Sequence, residues 1–110
     1  MPRETGVPTG TLVMLVLQVL RAGPMHGYAI AQRIHLLSDS ELKVEEGSLY
    51  PALQKMLLEG WVKADWSVSE SGRKVREYRL TPAGQKQLKA ERGEYERMSA
   101  AVRAVMESAK

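Results

Sequence analysis

Basic side chains crowd one segment of this sequence, and their chemistry suits an anion. From Ser71 to Lys89 there is one acid, Glu77, against six basic residues: Arg73, Lys74, Arg76, Arg79, Lys86 and Lys89. The whole chain has a formal charge of only +3, with a pI near 9.3, so the positive charge is concentrated rather than spread. Basic side chains gain affinity for phosphate by displacing its counterions. The segment therefore predicts contact with a polyanion.

A second set of candidate residues lies in EEGSLYPALQKMLLEGW, which runs from Glu45 to Trp61. The apolar residues fall on one face of a helix that Gly60 ends: Leu49, Leu53, Met56 and Leu57. We expect Ser48 to be the N-cap, which would put Pro51 in the first turn, where its missing amide costs nothing. Tyr50 would then lie beside Ser48, on the side away from the leucines.

Hydroxyl and amide groups at such a helix start can bind phosphate oxygens or base edges. Gln54 and Lys55 follow one turn after Tyr50. A glutamine amide is suited to reading a base because it can make two hydrogen bonds to adenine at once.

Other chemistries find little support in the sequence. The chain has no cysteine, which excludes disulfides, zinc held by cysteine and a thiol nucleophile. His26 precedes a predicted helix and suits a capping or turn role, and His35 does not complete a metal site with it. The acids Glu41, Glu45 and Glu46 have no partner at a catalytic spacing. We therefore predict no enzyme activity, no metal and no cofactor.

Length and composition predict one folded domain. The chain has 110 residues, of which 44% are hydrophobic and 26% charged. The longest apolar run, Leu12 to Leu20, is interrupted by Gln18 and falls well short of the roughly 18 residues of a membrane span. The N-terminal MPRETGVPTG has no secretory pattern. We expect a cytoplasmic protein with no membrane contact.

The predicted elements follow one another in a simple order. A first helix, capped by Thr9 or Thr11, runs to about Arg21, and HGYAIAQRIHLLS gives a second. Leu42 and Val44 suit a very short strand, and the helix described above is the third. WVKADWSVSESGRKVREYRLT then alternates as two strands of a hairpin with the basic tip SESGRK.

A long last helix begins at Pro82, with Thr81 as its cap. It carries a seven-residue apolar pattern, interrupted by Glu91 and Gly93, that predicts a dimer seam: Leu88, Tyr95, Met98, Val102, Val105 and Ala109. Tyr95 and Met98 fit the core of that seam, although a partly filled seam could admit a ligand.

Three helices followed by a hairpin predict a mainly α fold with a small β-hairpin wing, which is a winged helix-turn-helix, plus the long C-terminal helix. Residues 1–81 would form the DNA-binding domain and residues 82–110 the dimerisation helix. In this arrangement the third helix enters a major groove and the wing follows phosphates. The candidate DNA-binding residues are Ser48, Tyr50, Pro51, Gln54, Lys55, Arg73, Lys74 and Arg76.

Three blocks of the chain resemble the PadR family of bacterial transcription regulators: GPMHGYAI, EEGSLYPALQKMLLEGW and SESGRKVREYRLTPAG. The family's GTLYP motif matches residues 47–51, with Ser48 in place of the commoner threonine, and its HGY motif matches residues 26–28. The resemblance implies a homodimeric winged-helix protein that binds double-stranded DNA, usually as a repressor. The single C-terminal helix is similar to the compact branch of the family.

Small members of the family often respond to ligands, so the resemblance also implies an effector, which no residue set here identifies. The resemblance to some compact members implies a site for a flat aromatic drug at the dimer centre, but the final helix has no tryptophan, which argues against such a site here.

The residues alone leave alternatives open. Tyr50 could pack its ring on the hairpin, and the basic tip could be an ordinary solvated turn. A winged helix can also bind a protein instead of DNA, since fold alone does not decide function. Arg73, Lys74 and Arg76 favour phosphate, whereas a protein-binding module would more often expose an apolar patch.

Overall fold

Four α-helices and a small antiparallel sheet make up the computed structural model, which describes residues 4–109. The helices are α1 (Thr9–Val19), α2 (Gly27–Leu37), α3 (Glu46–Leu58) and α4 (Pro82–Met106), and a 3₁₀ turn (Leu20–Ala22) extends α1. The strands are β1 (Thr5–Gly6), β2 (Met25–His26), β3 (Leu42–Lys43), β4 (Val62–Val68) and β5 (Lys74–Leu80). This is the predicted winged helix-turn-helix with a long C-terminal helix.

The core lies where α1, α2 and α3 meet the base of the hairpin. Fully buried side chains come from all four of these elements: Leu12, Val16, Leu17, Ile30, Leu49, Leu53, Met56 and Val62. The apolar run of α1 therefore forms a core helix. Within residues 4–109 no helix combines the length and the apolar character that crossing a bilayer requires.

Strands β4 and β5 form an antiparallel hairpin, and β2 extends it on the β5 side. Residues 62–80, which are these two strands and their turn, are called the wing below. The predicted short strand at Leu42 is present as β3, and it pairs in parallel with β1. The wing is thus fixed at its base to the start of α2, because Met25 pairs with Tyr78.

The N-termini of two helices differ from the prediction. α1 begins after Pro8 without a side-chain cap, so neither Thr9 nor Thr11 caps it. α3 begins at Glu46 after Glu45, and Ser48 lies in its first turn instead of capping it. Serine is a frequent N-cap, but here the backbone becomes helical two residues before it.

The earlier start of α3 also changes the place of Pro51. The proline lies inside the helix, beyond the first turn, and its missing amide removes the donor that the Gly47 carbonyl would otherwise receive. The end of α3 matches the prediction. Gly60 has a φ of 77°, and its amide and that of Trp61 donate to the carbonyls of Leu57 and Met56.

Two other caps follow the prediction. The Nδ1 atom of His26 accepts a hydrogen bond from the Ala29 amide at 3.3 Å, so His26 caps α2. Thr81 caps α4, and its hydroxyl oxygen accepts from the Gly84 amide at 3.0 Å. Both residues therefore have a structural role at a helix start.

Thr81 also fixes α4 to the end of α3. Its hydroxyl lies 2.7 Å from the Gly60 carbonyl oxygen and 3.0 Å from that of Trp61, and its amide donates to the Trp61 carbonyl. Gly84 lies so close that a Cβ atom there would be 2.0 Å from the Trp61 carbonyl oxygen. We call these four residues the α3–α4 joint. The division of the chain at residue 81 stays a prediction.

Candidate nucleic-acid interface

The outer face of α3 carries the polar side chains that the sequence singled out. Its inner face is buried through Leu49, Ala52, Leu53 and Met56. At about 100° per residue, Tyr50 and Gln54 share one side of the outer face, whereas Ser48 and Lys55 lie on the other side. Tyr50, Gln54 and Lys55 are exposed and Ser48 is half-buried.

Tyr50 packs along one side of its ring and is 46% exposed. The ring lies against Gly27, the first residue of α2. A Cβ atom on Gly27 would be 2.8 Å from the Tyr50 hydroxyl oxygen and 2.9 Å from Cε1. Only glycine leaves this space, so the HGY and SLYP segments of the sequence meet here. The contact sets the direction of the phenol, while nearly half of the residue's surface stays accessible.

A groove of about 790 Å³ separates the start of α2 from the wing. We call it the wing groove. Its walls bring Tyr50 together with the predicted wing residues Arg73, Lys74 and Arg76. His26 and Tyr28 form the wall on the α2 side. Four of the eight predicted DNA-binding residues therefore line one concave surface.

The cations of the wing groove are free of acidic partners. Among residues 4–109 no carboxylate lies within ion-pair distance of Arg73, Lys74 or Arg76. Arg79, on the opposite face of the hairpin, does pair with Asp65, at 3.3 Å. Glu70 and Glu77 also line the groove, so three cations against two carboxylates leave it a small net positive charge that an external anion can neutralise.

Hydrogen bonds hold the tip of the wing in one conformation. The Ser69 amide donates to the Arg73 carbonyl at 2.8 Å, and the Gly72 amide donates to the Ser69 carbonyl at 2.9 Å. The Ser69 hydroxyl oxygen accepts from the Arg73 amide at 3.2 Å. The tip is therefore an ordered turn that fixes the backbone next to its basic residues.

A second cleft, of about 400 Å³, lies on the other side of α3. Ser48, Pro51 and Lys55 line it, opposite Thr9 of α1 and Gln87 of α4. Gln54 lies on the ridge of α3, and neither the cleft nor the wing groove includes it. The predicted residues thus fall into a wing-groove set and a cleft set, on either side of Gln54.

Tyr78 lies at the floor of the wing groove and is nearly buried. Burial raises the pKa of its phenol above the ordinary value of 10.0. The positive charge of Arg76 lowers this pKa, and the neighbouring Tyr50 raises it further. The Tyr78 hydroxyl therefore keeps its proton at physiological pH.

Among the groove residues that the sequence-based set did not include are Tyr28 and Gln32. Both are exposed and project from α2 into the wing groove. Their spacing of four residues on the polar side of α2 was the available signal. They are candidates for the same ligand as Tyr50.

The predicted dimer residues lie in two different environments. Leu88 is buried in the core of its own chain. Tyr95, Met98, Val102 and Val105 are exposed along one side of α4. We call these four residues the α4 stripe. Ala109 lies beyond the end of α4.

Within residues 4–109 no group of three or more histidine or acidic side chains could hold a metal ion.

Comparisons with known proteins agree with this architecture. Residues 16–90 match the model of the transcriptional regulator PadR-like family. A transcriptional regulator from Clostridium thermocellum has 26% sequence identity and a TM-score of 0.79, over 86% of this chain and 92% of that one. A PadR family transcriptional regulator from Eggerthella lenta has 30% identity and a TM-score of 0.75, over 90% of this chain and 84% of that one.

One curated relative is much longer than this chain. An uncharacterized 37.1 kDa protein in transposon TN4556 of Streptomyces fradiae is 39% identical over 94 residues, which are 86% of this chain and 26% of that protein. The chain therefore spans about a quarter of the length of that relative. Because the family model matches more than half of the chain and regulators of the family share its fold, the chain belongs to the PadR-like family of transcriptional regulators.

Proposed function

We propose that the chain is a sequence-specific DNA-binding repressor that binds a palindromic operator as a homodimer. One observation carries the proposal: Tyr50, on the exposed face of α3, and the unpaired cations of the wing border the same groove. If α3 enters a major groove, the basic hairpin beside it would lie along the phosphate backbone that borders that groove. A DNA-bound regulator of this family would act in the bacterial cytoplasm.

The proposed roles follow from the position of each side chain. Arg73, Lys74 and Arg76 would neutralise phosphates, a contact that gives affinity for any DNA sequence. Tyr50 would donate its hydroxyl to a phosphate from the same groove. Gln54, on the ridge of α3, would read a base edge.

The cleft set has a supporting part in this proposal. Ser48 and Lys55 would meet the backbone on the far side of α3. Ser48 lies in the first turn, where free amides favour an anion, and Lys55 would add a positive charge from the last turn. Pro51 would limit the bulk on the outer face of α3 and let the helix approach the major groove of DNA closely.

The α4 stripe supports the dimer. Its apolar residues repeat at three and four positions, which is the spacing of a helix seam, and a monomer leaves them in water. A two-fold dimer would present two α3 helices to half-sites about one helical turn, roughly 34 Å, apart. An effector stays a prediction from the family resemblance, and the proposal needs no cofactor.

Selection of binding sites from random double-stranded DNA tests the function directly. We expect enrichment of an inverted repeat, and retardation of that DNA by the purified chain. The double variant Arg73→Gln, Lys74→Gln should bind all DNA more weakly and reduce the slope of log affinity against log salt by about two.

The matched control is Lys86→Gln, Lys89→Gln, which removes the same charge from exposed positions on α4. It should bind the selected DNA nearly as tightly as the parent chain. No enrichment of any sequence, or equal losses in the two double variants, would refute the proposal.

A further inference from the structure

The wing carries one large aromatic side chain that the core does not bury. Alternation along β4 puts Trp66 on the same face as Val62 and Ala64, both of which pack on the core. Trp66 itself is 65% exposed, and Val68, the next residue on that face, is 69% exposed. The face that holds the wing to the protein thus continues outward as an apolar surface.

Two cations of the wing groove border this surface. Arg76 is the cross-strand partner of Trp66, and Lys74 is the partner of Val68. The Lys74 ammonium lies 5.2 Å from the centre of the Trp66 ring. A tryptophan ring attracts a cation over its face, so the ring helps to hold Lys74 in position. Lys74 leaves most of the ring accessible, as the exposure of Trp66 shows.

The composition of this surface matches one strand of a nucleic-acid duplex. A sugar–phosphate backbone alternates negative phosphates with less polar sugar edges. The exposed part of the wing face that carries Trp66 likewise alternates the cations Lys74 and Arg76 with the apolar Trp66 and Val68. An apolar partner surface would leave the two cations without counter-charges, and free phosphate would leave Trp66 and Val68 without an apolar contact.

We propose that Trp66 is a direct DNA contact, whose ring lies against the deoxyribose edge of the strand whose phosphates meet Lys74 and Arg76. The inference rests on the proposed DNA-binding function and deepens it. The wing would then bind through two separable contributions, one from charge and one from apolar contact.

These two contributions respond differently to salt. Each neutralised phosphate releases counterions and adds about 0.9 to the salt slope on duplex DNA, whereas an apolar contact releases none. Loss of Trp66 should therefore weaken binding at every salt concentration without a change of slope. Loss of the Lys74 charge should reduce the slope.

The test is a salt titration of operator affinity for the full chain and four variants: Trp66→Ala, Trp66→Phe, Lys74→Gln and Leu37→Ala. Leu37→Ala is the matched control, because Leu37 is an exposed apolar residue at the end of α2 and outside the wing groove. We expect Trp66→Ala to weaken binding roughly fivefold to tenfold with the parent slope. Trp66→Phe should recover part of the loss, since it keeps an aromatic ring.

The outcomes separate this inference from the function on which it rests. A Trp66→Ala protein with the affinity of the parent chain would overturn the inference and leave the function intact. So would a Trp66→Ala protein whose slope falls as much as that of Lys74→Gln, because Trp66 would then act only by holding the lysine. A parent chain that binds no selected DNA would overturn both.

Discussion

The phenol ring of Tyr50 lies over Gly27, so closely that a Cβ atom on Gly27 would come within 2.8 Å of the tyrosine hydroxyl oxygen. The contact joins the start of α2 to the outer face of α3. It also limits the directions that the hydroxyl can take in the wing groove. A substitution at either residue should therefore remove the same contact, and a substitution at Gly27 should also change the position of the Tyr50 ring.

Gly27→Ala should displace the Tyr50 ring and weaken operator binding about as much as Tyr50→Ala does, several-fold to tenfold, which is the loss of one hydrogen bond of about 1 kcal/mol. The double variant should bind no more weakly than Tyr50→Ala, because both changes remove the same contact. Fluorescence anisotropy with labelled operator measures all three affinities. Additive losses would contradict a shared contact.

Tyr50→Ala should leave folding nearly intact, since the side chain is 46% exposed. A buried aromatic would instead cost on the order of 3 to 5 kcal/mol on truncation to alanine. Thermal unfolding, followed by circular dichroism, distinguishes the two cases. A variant that melts early and still binds operator normally would assign Tyr50 to packing alone.

Gln54→Ala should relax the preference for one base in each half-site and leave affinity for random DNA unchanged. The reason is that Gln54 lies on the ridge of α3, outside the basic wing groove. Selection experiments with the parent and variant chains compare the preferred sequences. An identical preference in both would remove Gln54 from base reading.

Gly84→Ala should destabilise the protein by about 3 kcal/mol, at the upper end of the usual cost of overpacking. The added methyl group would be 2.0 Å from the Trp61 carbonyl oxygen, and backbone cannot move aside as a flexible side chain can. Gly93→Ala is the control on the same helix, where the nearest atom is the Arg97 Nη1 at 3.8 Å. It should stabilise α4 by up to about 1 kcal/mol. Urea unfolding of both variants measures the contrast, and equal effects would refute the close approach at Gly84.

Removal of the residues after Glu94 should abolish the dimer, because it deletes the whole α4 stripe. The remaining chain keeps Leu88 and the first turns of α4, so its core is complete. Sedimentation velocity gives the mass in solution. A truncated chain that still sediments as a dimer would place the interface elsewhere.

Tyr78 should make stability more sensitive to alkaline pH. Its folded-state pKa is raised above the ordinary 10.0, so the unfolded chain loses this proton first as the pH rises. The stability that Tyr78 contributes is complete below about pH 10 and is lost as the pH rises through the folded-state pKa. Tyr78→Phe should therefore lose less stability than the parent chain between pH 9 and 11, in urea titrations. Parallel losses would contradict the raised pKa.

Periodicity and caps in the sequence predicted the order of helices, the hairpin and the Thr81 cap, because these depend on neighbouring residues. The predicted start of α3 was wrong. Serine is a good N-cap only where the backbone is still extended, and at Ser48 the helix has already begun. The seven-residue pattern of α4 could not separate Leu88 from the stripe, since an apolar side chain can meet its own core or a partner with the same spacing.

Tertiary distances were beyond the reach of the sequence. The HGY and SLYP segments were both recognised, but their contact through Gly27 and Tyr50 depends on how α2 crosses α3. Alternation predicted the two strands of the hairpin, yet could not show that the face that carries Trp66 extends past the core. The division of the candidate residues between the wing groove and the cleft also required the packed structure.

The α3–α4 joint has a consequence for operator architecture. Thr81 and Gly84 fix the base of α4 to Gly60 and Trp61, directly after the helix proposed to read bases. In a dimer built through α4, this joint would hold each α3 helix at a fixed position relative to α4. Thr81→Ala, which removes the hydroxyl hydrogen bonds of the joint, would let one dimer bind half-sites separated by several spacer lengths. These four residues, none of which is proposed to contact a base, would then set the spacing between half-sites that the dimer accepts.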